Sequence, residues 1–160
     1  MANTVATERR SHLLAATGQG AAYSVKNLCA TTELAATTSG DTFTVGYIPS
    51  NARLLGSSRL YNDDLATSGS PTLDIGIKAV NGNLANADDP DAIGNGFALS
   101  AAGSDVLVFS DVANIGLPAW DLVASESSDP GGVLEVYASV KDAPTTATGT
   151  VTVDLYYVVD

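Results

Sequence analysis

Residues 41–77 read DTFTVGYIPSNARLLGSSRLYNDDLATSGSPTLDIGI, and apolar side chains recur at every second position at both ends of this stretch. Phe43, Val45 and Tyr47 alternate with Thr42, Thr44 and Gly46. Leu73, Ile75 and Ile77 alternate with Thr72, Asp74 and Gly76. A period of two puts successive side chains on opposite faces of an extended backbone, so one face enters a core. A helix needs a longer period to build an apolar stripe and cannot use this pattern. Pro49-Ser50-Asn51 and the polar tract 62–71 separate the apolar runs with turn and loop chemistry. The block therefore reads strand, corner, strand, longer loop, strand. Its middle run, 52–61, is apolar on both faces, with Leu54 and Leu60 on one and Leu55 and Tyr61 on the other. Such a strand lies inside a sandwich or under a partner.

The rest of the chain follows the same logic. Residues 1–20 form a leader of small and polar residues with one cationic cluster, Arg9, Arg10 and His12. Weak alternation predicts a strand over 23–31, followed by a Thr- and Ala-rich connection over 33–40. Residues 80–104 form the longest excursion. Within it, 88–93 reads as a short helix with Asp89 as cap, Pro90 in the first turn and Gly94 or Gly96 as stop. A long loop in a compact domain is a candidate contact surface. Strands are predicted over 105–110, 120–124 and 133–141, the last with Leu134, Val136, Ala138 and Val140 inward. Residues 150–159 carry the clearest alternation, with Val151, Val153, Leu155, Tyr157 and Val159 on one face. Tyr156 and Val158 load the other face of that strand.

Roughly eight strands at this spacing predict an all-β domain over 21–160, a two-sheet antiparallel β-sandwich of jelly-roll-like form with an extended N-terminal arm over 1–20. No crossover helices appear, which excludes parallel α/β folds. No repeat of 20–50 residues appears, which argues against a solenoid or propeller. At 160 residues and 45% hydrophobic content the chain can bury one sizeable core.

Charge and rare residues narrow the function classes. Seven Lys and Arg against 18 Asp and Glu leave a formal net charge of −11. A duplex-binding surface gains affinity by neutralising phosphates with clustered cations, and here Lys26, Arg53, Arg59, Lys78 and Lys141 are scattered. Neither nucleic acid nor an anionic membrane is expected as a partner. No apolar run approaches the roughly 20 residues that a membrane-spanning helix needs. The Arg9-Arg10 pair before Leu13-Leu14 is similar to a twin-arginine export signal. Its apolar part is too short and is broken by Thr17, Gly18 and Gly20, so that reading is rejected. The chain is expected to be made in a cytoplasm and to stay there unless a larger assembly carries it out.

Catalytic constellations are missing from the sequence. A hydrolase triad needs a histidine base, and His12 stands alone in the leader. One Cys and one His cannot build a zinc site. Cys29, among Val25, Leu28 and Ala30, reads as a small core residue. Gly94-Asn95-Gly96 lacks the third glycine of a dinucleotide fingerprint. Asn86, Asp88, Asp89 and Asp91 offer hard oxygens to calcium, but the spacing matches no defined calcium loop and helix capping accounts for the same residues. No catalytic residue, cofactor or metal is assigned, and no enzyme activity is expected.

The segments GDTFTVGYIPSNARLL and LYNDDLATSGSPTLDIGI resemble structural proteins of tailed bacteriophages, in particular β-sandwich head decoration (cement) proteins. The resemblance rests on Gly46 to Pro49 at a strand end, Ala52 to Leu55 after the corner, and Thr72 to Gly76 after the loop. It covers about a quarter of the chain. It implies a virion protein on the capsid surface, assembled in the host cytoplasm, with the major capsid protein as partner and a homo-oligomer, trimers being favoured. Such a protein clamps neighbouring capsid subunits and transforms no molecule. Contact candidates are Arg9, Arg10, Leu13 and Leu14 in the arm and Tyr61, Trp120 and Tyr156 on the sandwich, because aromatics and arginine most often carry interface energy. Each has a plainer alternative as a core or solvated residue. Rival readings are a carbohydrate- or host-binding module of a head or tail fibre, with Trp120 or the tyrosines under sugar rings, and a head–tail connector or tail component.

Overall fold

A computed structural model of the protein describes residues 24–65, 69–84, 88–124, 126–142 and 147–159. The arm, with Arg9, Arg10, Leu13 and Leu14, lies outside them, as does Asn86. The described chain forms nine strands: β1 (Lys26–Thr37), β2 (Thr42–Pro49), β3 (Ala52–Leu54), β4 (Arg59–Asn62), β5 (Thr72–Ala79), β6 (Asp89–Ala98), β7 (Gly103–Leu107), β8 (Val133–Lys141) and β9 (Ala147–Val159). One sheet runs β1-β9-β4-β7, with β3 also on β9, and the other runs β2-β8-β5-β6. All of these pairs are antiparallel. The chain passes from one sheet to the other at nearly every connection, which with these strand orders defines a jelly roll.

The core lies between the sheets and is built by the predicted alternation. Leu73, Ile75 and Ile77 of β5, Leu134, Val136, Ala138 and Val140 of β8, and Val151, Val153 and Leu155 of β9 are all buried. Tyr157 and Val159 continue the inward face of β9, half-buried, and pack on the core.

Several expectations need correction. Residues 52–61 are two strands, because the backbone turns at 55–58, closed by the Ser58 N–H donating to the Leu55 carbonyl at 3.0 Å. β3 and β4 then occupy successive stretches of one flank of β9. In β2 the alternation slips. Thr44 pairs with Tyr137 but Gly46 pairs with Val136, so one extra residue is inserted. Val45 and Ile48 end up inside, while Tyr47 faces solvent with 55% of its surface exposed. Gly46 sits at φ 155 with the Leu28 side chain where a Cβ would be.

Residues 33–37 are not a connection. The 13-residue β9 is long enough to give β1 partners as far as Thr37. The expected helix over 88–93 belongs to β6 instead. Pro90 is tolerated because β6 is the outermost strand of its sheet. Residues 120–124 are not a strand. Ala119–Leu122 forms a 3₁₀ turn that buries Ala119 and Leu122. The strand expected over 105–110 lies earlier, as β7, with Val108 and Phe109 buried beyond its end. Cys29 is exposed on β1, not in the core.

Candidate interaction surfaces

Two outward sheet faces and the two sides of the sandwich are the surfaces this fold offers. The outer face of the β1-β9-β4-β7 sheet is largely polar. Register sets Asn27, Cys29, Thr31 and Glu33 of β1 opposite Tyr156, Asp154, Thr152 and Thr150 of β9. Arg59 and Tyr61 of β4 face Asp154 and Thr152 from the other flank. Side-chain bonds cross the strands: Asn27 donates to Asp154, Thr31 and Thr152 hydroxyls meet at 2.9 Å, and Thr150 donates to Glu33 at 2.7 Å. Such cross-strand pairs hold a sheet face in one geometry. Partial burial, and then the Asp154 carboxylate beside it, raise the Cys29 thiol above its ordinary value. That lowers the thiolate fraction and with it the nucleophilic character of the side chain.

Tyr61 and Tyr156 therefore share one face, about 13 Å apart along β9 at the usual rise per residue. Tyr61 is 38% exposed and overlooks a shallow depression of about 240 Å³ with Asn62, Asp63, Gly103, Thr150 and Thr152. Tyr156 is half-buried. Trp120 is not part of this face. It lies in the 3₁₀ turn Ala119–Leu122, half-buried and packed against the core, with its backbone N–H donating to the Ser50 carbonyl at 3.1 Å.

The outer face of the β2-β8-β5-β6 sheet is polar yet largely buried. Asp74, Glu135, Tyr137 and Ser139 are each below 9% exposed. Lys78 sits 5.0 Å from the Tyr137 ring centre and 3.2 Å from the Glu135 carboxylate, which also accepts from Thr44 at 2.6 Å. Asp74 accepts from the Gly96 N–H at 2.8 Å and lies 3.8 Å from Lys141. The start of β6 crosses this face. The Asp89 carbonyl and Pro90 lie where a Cβ on Gly76 would go. Burial first, then the carboxylates Asp88, Asp89, Asp91 and Asp74, push the Tyr137 hydroxyl up to about 12.

The carboxylates considered for calcium have structural partners. Asp88 accepts from Ala79 N–H at 3.3 Å, Asp89 from Ala124 N–H at 2.9 Å, and Asp91 from the Asn95 amide at 2.7 Å. Among the described residues no three His, Cys, Asp or Glu side chains are placed to hold a metal ion.

The two sides of the sandwich differ. On one side β6 is tied to the segment after β7. The Asn95 N–H donates to Ser110 Oγ at 2.6 Å, and the Ser110 hydroxyl donates back to the Asn95 carbonyl at 3.1 Å. On the other side β1 and β2 are the outermost strands of their sheets. Between them opens a notch of about 360 Å³, with Leu34, Ala35, Phe43 and Val140 among its lining and Glu33 and Asp41 at its rim. Sequence periodicity missed this notch, because its lining joins the end of β1 and the start of β2 to Val140 of β8, far away in the chain.

No family model matches the chain, and no curated protein matches it. Among solved structures, it is similar to a chain of the cyanophage Pam1 capsid asymmetric unit, with a TM-score of 0.59 and 22% identity. The likeness covers 89% of this chain and 90% of that one. At that identity the match shows a shared fold.

Proposed function

We propose that the protein is a structural component of a tailed-phage particle, a decoration subunit that binds the outside of the head where capsid subunits meet. The observation that carries this reading is the near full-length likeness to a chain of a phage capsid asymmetric unit. The surfaces support it. The outer face of the β1-β9-β4-β7 sheet carries Thr31, Thr150 and Thr152, is fixed by cross-strand bonds and presents Tyr61 and Tyr156. A pre-ordered polar face loses little entropy on contact. The charge of −11 suits a particle exterior that must neither hold nucleic acid nor aggregate with other particles. Each subunit contributes modest area, and repetition over the lattice multiplies it.

In this reading the partner is the major capsid protein, the subunit acts as a homo-oligomer, a trimer by preference, and assembly takes place in the host cytoplasm. Tyr61 and Tyr156 contact neighbours from the sandwich, while Arg9, Arg10, Leu13 and Leu14 do so from the arm. Trp120 contributes at most an edge, given its packing on the core. The test is co-sedimentation of the purified protein with expanded empty heads of its phage. Saturable binding, weakened by Tyr61→Ala or by deletion of residues 1–16, supports the proposal. Absence of binding at high protein concentration overturns it. The depression beside Tyr61 favours one second reading, a glycan-binding module, and saturable sugar binding lost in Tyr61→Ala would establish it.

A further inference from the structure

Two Asn-Gly pairs stand in the chain, Asn81-Gly82 and Asn95-Gly96. In such a pair the glycine nitrogen can attack the asparagine side chain, because no Cβ crowds its approach. A bond forms between that nitrogen and Cγ, closing a five-membered succinimide. The side-chain NH2 leaves with the glycine amide proton as ammonia. Water then opens the ring at either carbonyl, giving aspartate or isoaspartate. No oxidant or reductant is involved. The isoaspartyl backbone runs through the former side chain and is one carbon longer.

The fold treats the two pairs oppositely. In β6 the Gly96 N–H donates to the Asp74 carboxylate at 2.8 Å, and Asp74 is itself 7% exposed. Losing the Gly96 proton there would set a nitrogen anion beside a buried carboxylate. The Asn95 side-chain amide is held by Asp91 at 2.7 Å, and Ser110 holds its backbone on both sides. Both reacting groups of this pair are therefore tied down.

Asn81 and Gly82 are the central residues of the Val80–Asn83 turn after β5, exposed, with φ 57 and φ 71. Their neighbours close that turn: the Val80 N–H donates to Asn83 Oδ1 at 2.8 Å and the Asn83 N–H to the Val80 carbonyl at 3.4 Å. Among the described residues, no hydrogen bond engages the Asn81 side chain or the Gly82 N–H. A Cβ on Gly82 would meet nothing within 4 Å, so water and base reach its amide.

We propose that Asn81 is the deamidation site of the folded protein, with water as co-reactant, and that Asp74 and Asp91 keep Asn95 intact. The inference stands apart from the particle reading. Its structural consequence falls on β8. The Asn83 amide donates to the Gly131 and Val133 carbonyls at 3.2 and 2.9 Å, so an isoaspartyl residue that lengthens the turn pulls on the start of that strand.

Peptide mass mapping of the full-length protein aged in mildly alkaline buffer tests it. Each event replaces NH2 by OH in one identifiable peptide. Rates in the folded protein are divided by the rate of the same site in the chain held unfolded in urea. On that scale Asn81 is expected to react at least about tenfold faster than Asn95, because the bond to Asp74 must break before Gly96 attacks. Asn81→Gln is expected to remove nearly all isoaspartate from the aged folded protein, as counted by enzymatic methylation of its carboxylate. Equal scaled rates at the two sites overturn the protection of Asn95. Asn81 left intact in the folded protein after the unfolded chain has reacted overturns its assignment as the site.

Discussion

Replacing Gly76 by alanine probes how β6 seals the outer face of its sheet. Gly76 sits in the middle of β5, opposite Tyr137, with no unusual backbone angle to explain it. A Cβ there would run into the Asp89 carbonyl and the Pro90 backbone. Backbone cannot rotate away as a side chain can, so residues 88–91 must shift. Overpacking of this kind costs about 1–3 kcal/mol. The shift also pulls on the Asp89–Ala124 bond, and a hydrogen bond to a charged group is worth about 1.5–3 kcal/mol. Together these predict a loss of about 3–5 kcal/mol, or a melting-temperature drop of roughly 10 °C for a chain of this size. Urea unfolding followed by Trp120 fluorescence reads the change as a lower midpoint at unchanged slope. Gly40→Ala is the control. Gly40 has φ 97 but open space around it, so only backbone strain of about 1 kcal/mol is expected. A Gly76→Ala midpoint within about 0.5 kcal/mol of wild type would refute the packing argument.

Three further outcomes follow from the same geometry. Tyr137 titrates near pH 12, above the ordinary tyrosine value of 10, so its folded state holds the proton more tightly. Stability from this group is complete below pH 10 and is lost as pH rises toward 12, and the phenolate absorbance titration of Tyr137→Phe should lose a component near pH 12. Cys29 is exposed, so a thiol reagent should label it in the folded protein, slowly at neutral pH and faster as pH rises, and Cys29→Ser should stay within about 0.5 kcal/mol of wild type. Ile75→Ala removes a fully buried side chain between the sheets and should cost about 2–5 kcal/mol in urea unfolding.

The strands that proved legible are those whose alternation is unbroken. β5, β8 and the inward residues of β9 match it residue for residue, because a side chain that must be buried leaves a period of two. Where two residues of one strand face one of its partner, the pattern lost phase. Tyr47 looks inward from the sequence, but the insertion at Val45 turns it out. β6 was hidden because Asp89-Pro90-Asp91 carries the residue types of a helix start, and only its place at the sheet margin lets it be a strand. Cys29 followed the general preference of its residue type, whereas the β1–β9 register sets it opposite Asp154 on the open face. Of the candidate contacts, Tyr61 and Tyr156 were readable as outward residues of their strands. The notch beside Leu34 was not readable, since its lining brings Val140 of β8 to β1 and β2 across the chain and follows no local pattern.

The central claim is that this jelly roll acts by sitting on a shell. Electron-microscope imaging of the intact particle, with the protein located by difference against particles lacking it, measures that directly. The proposal predicts symmetric density for the sandwich on the outer head surface, over contacts between capsid subunits. Density confined to the tail, or heads with no difference at all, would contradict it.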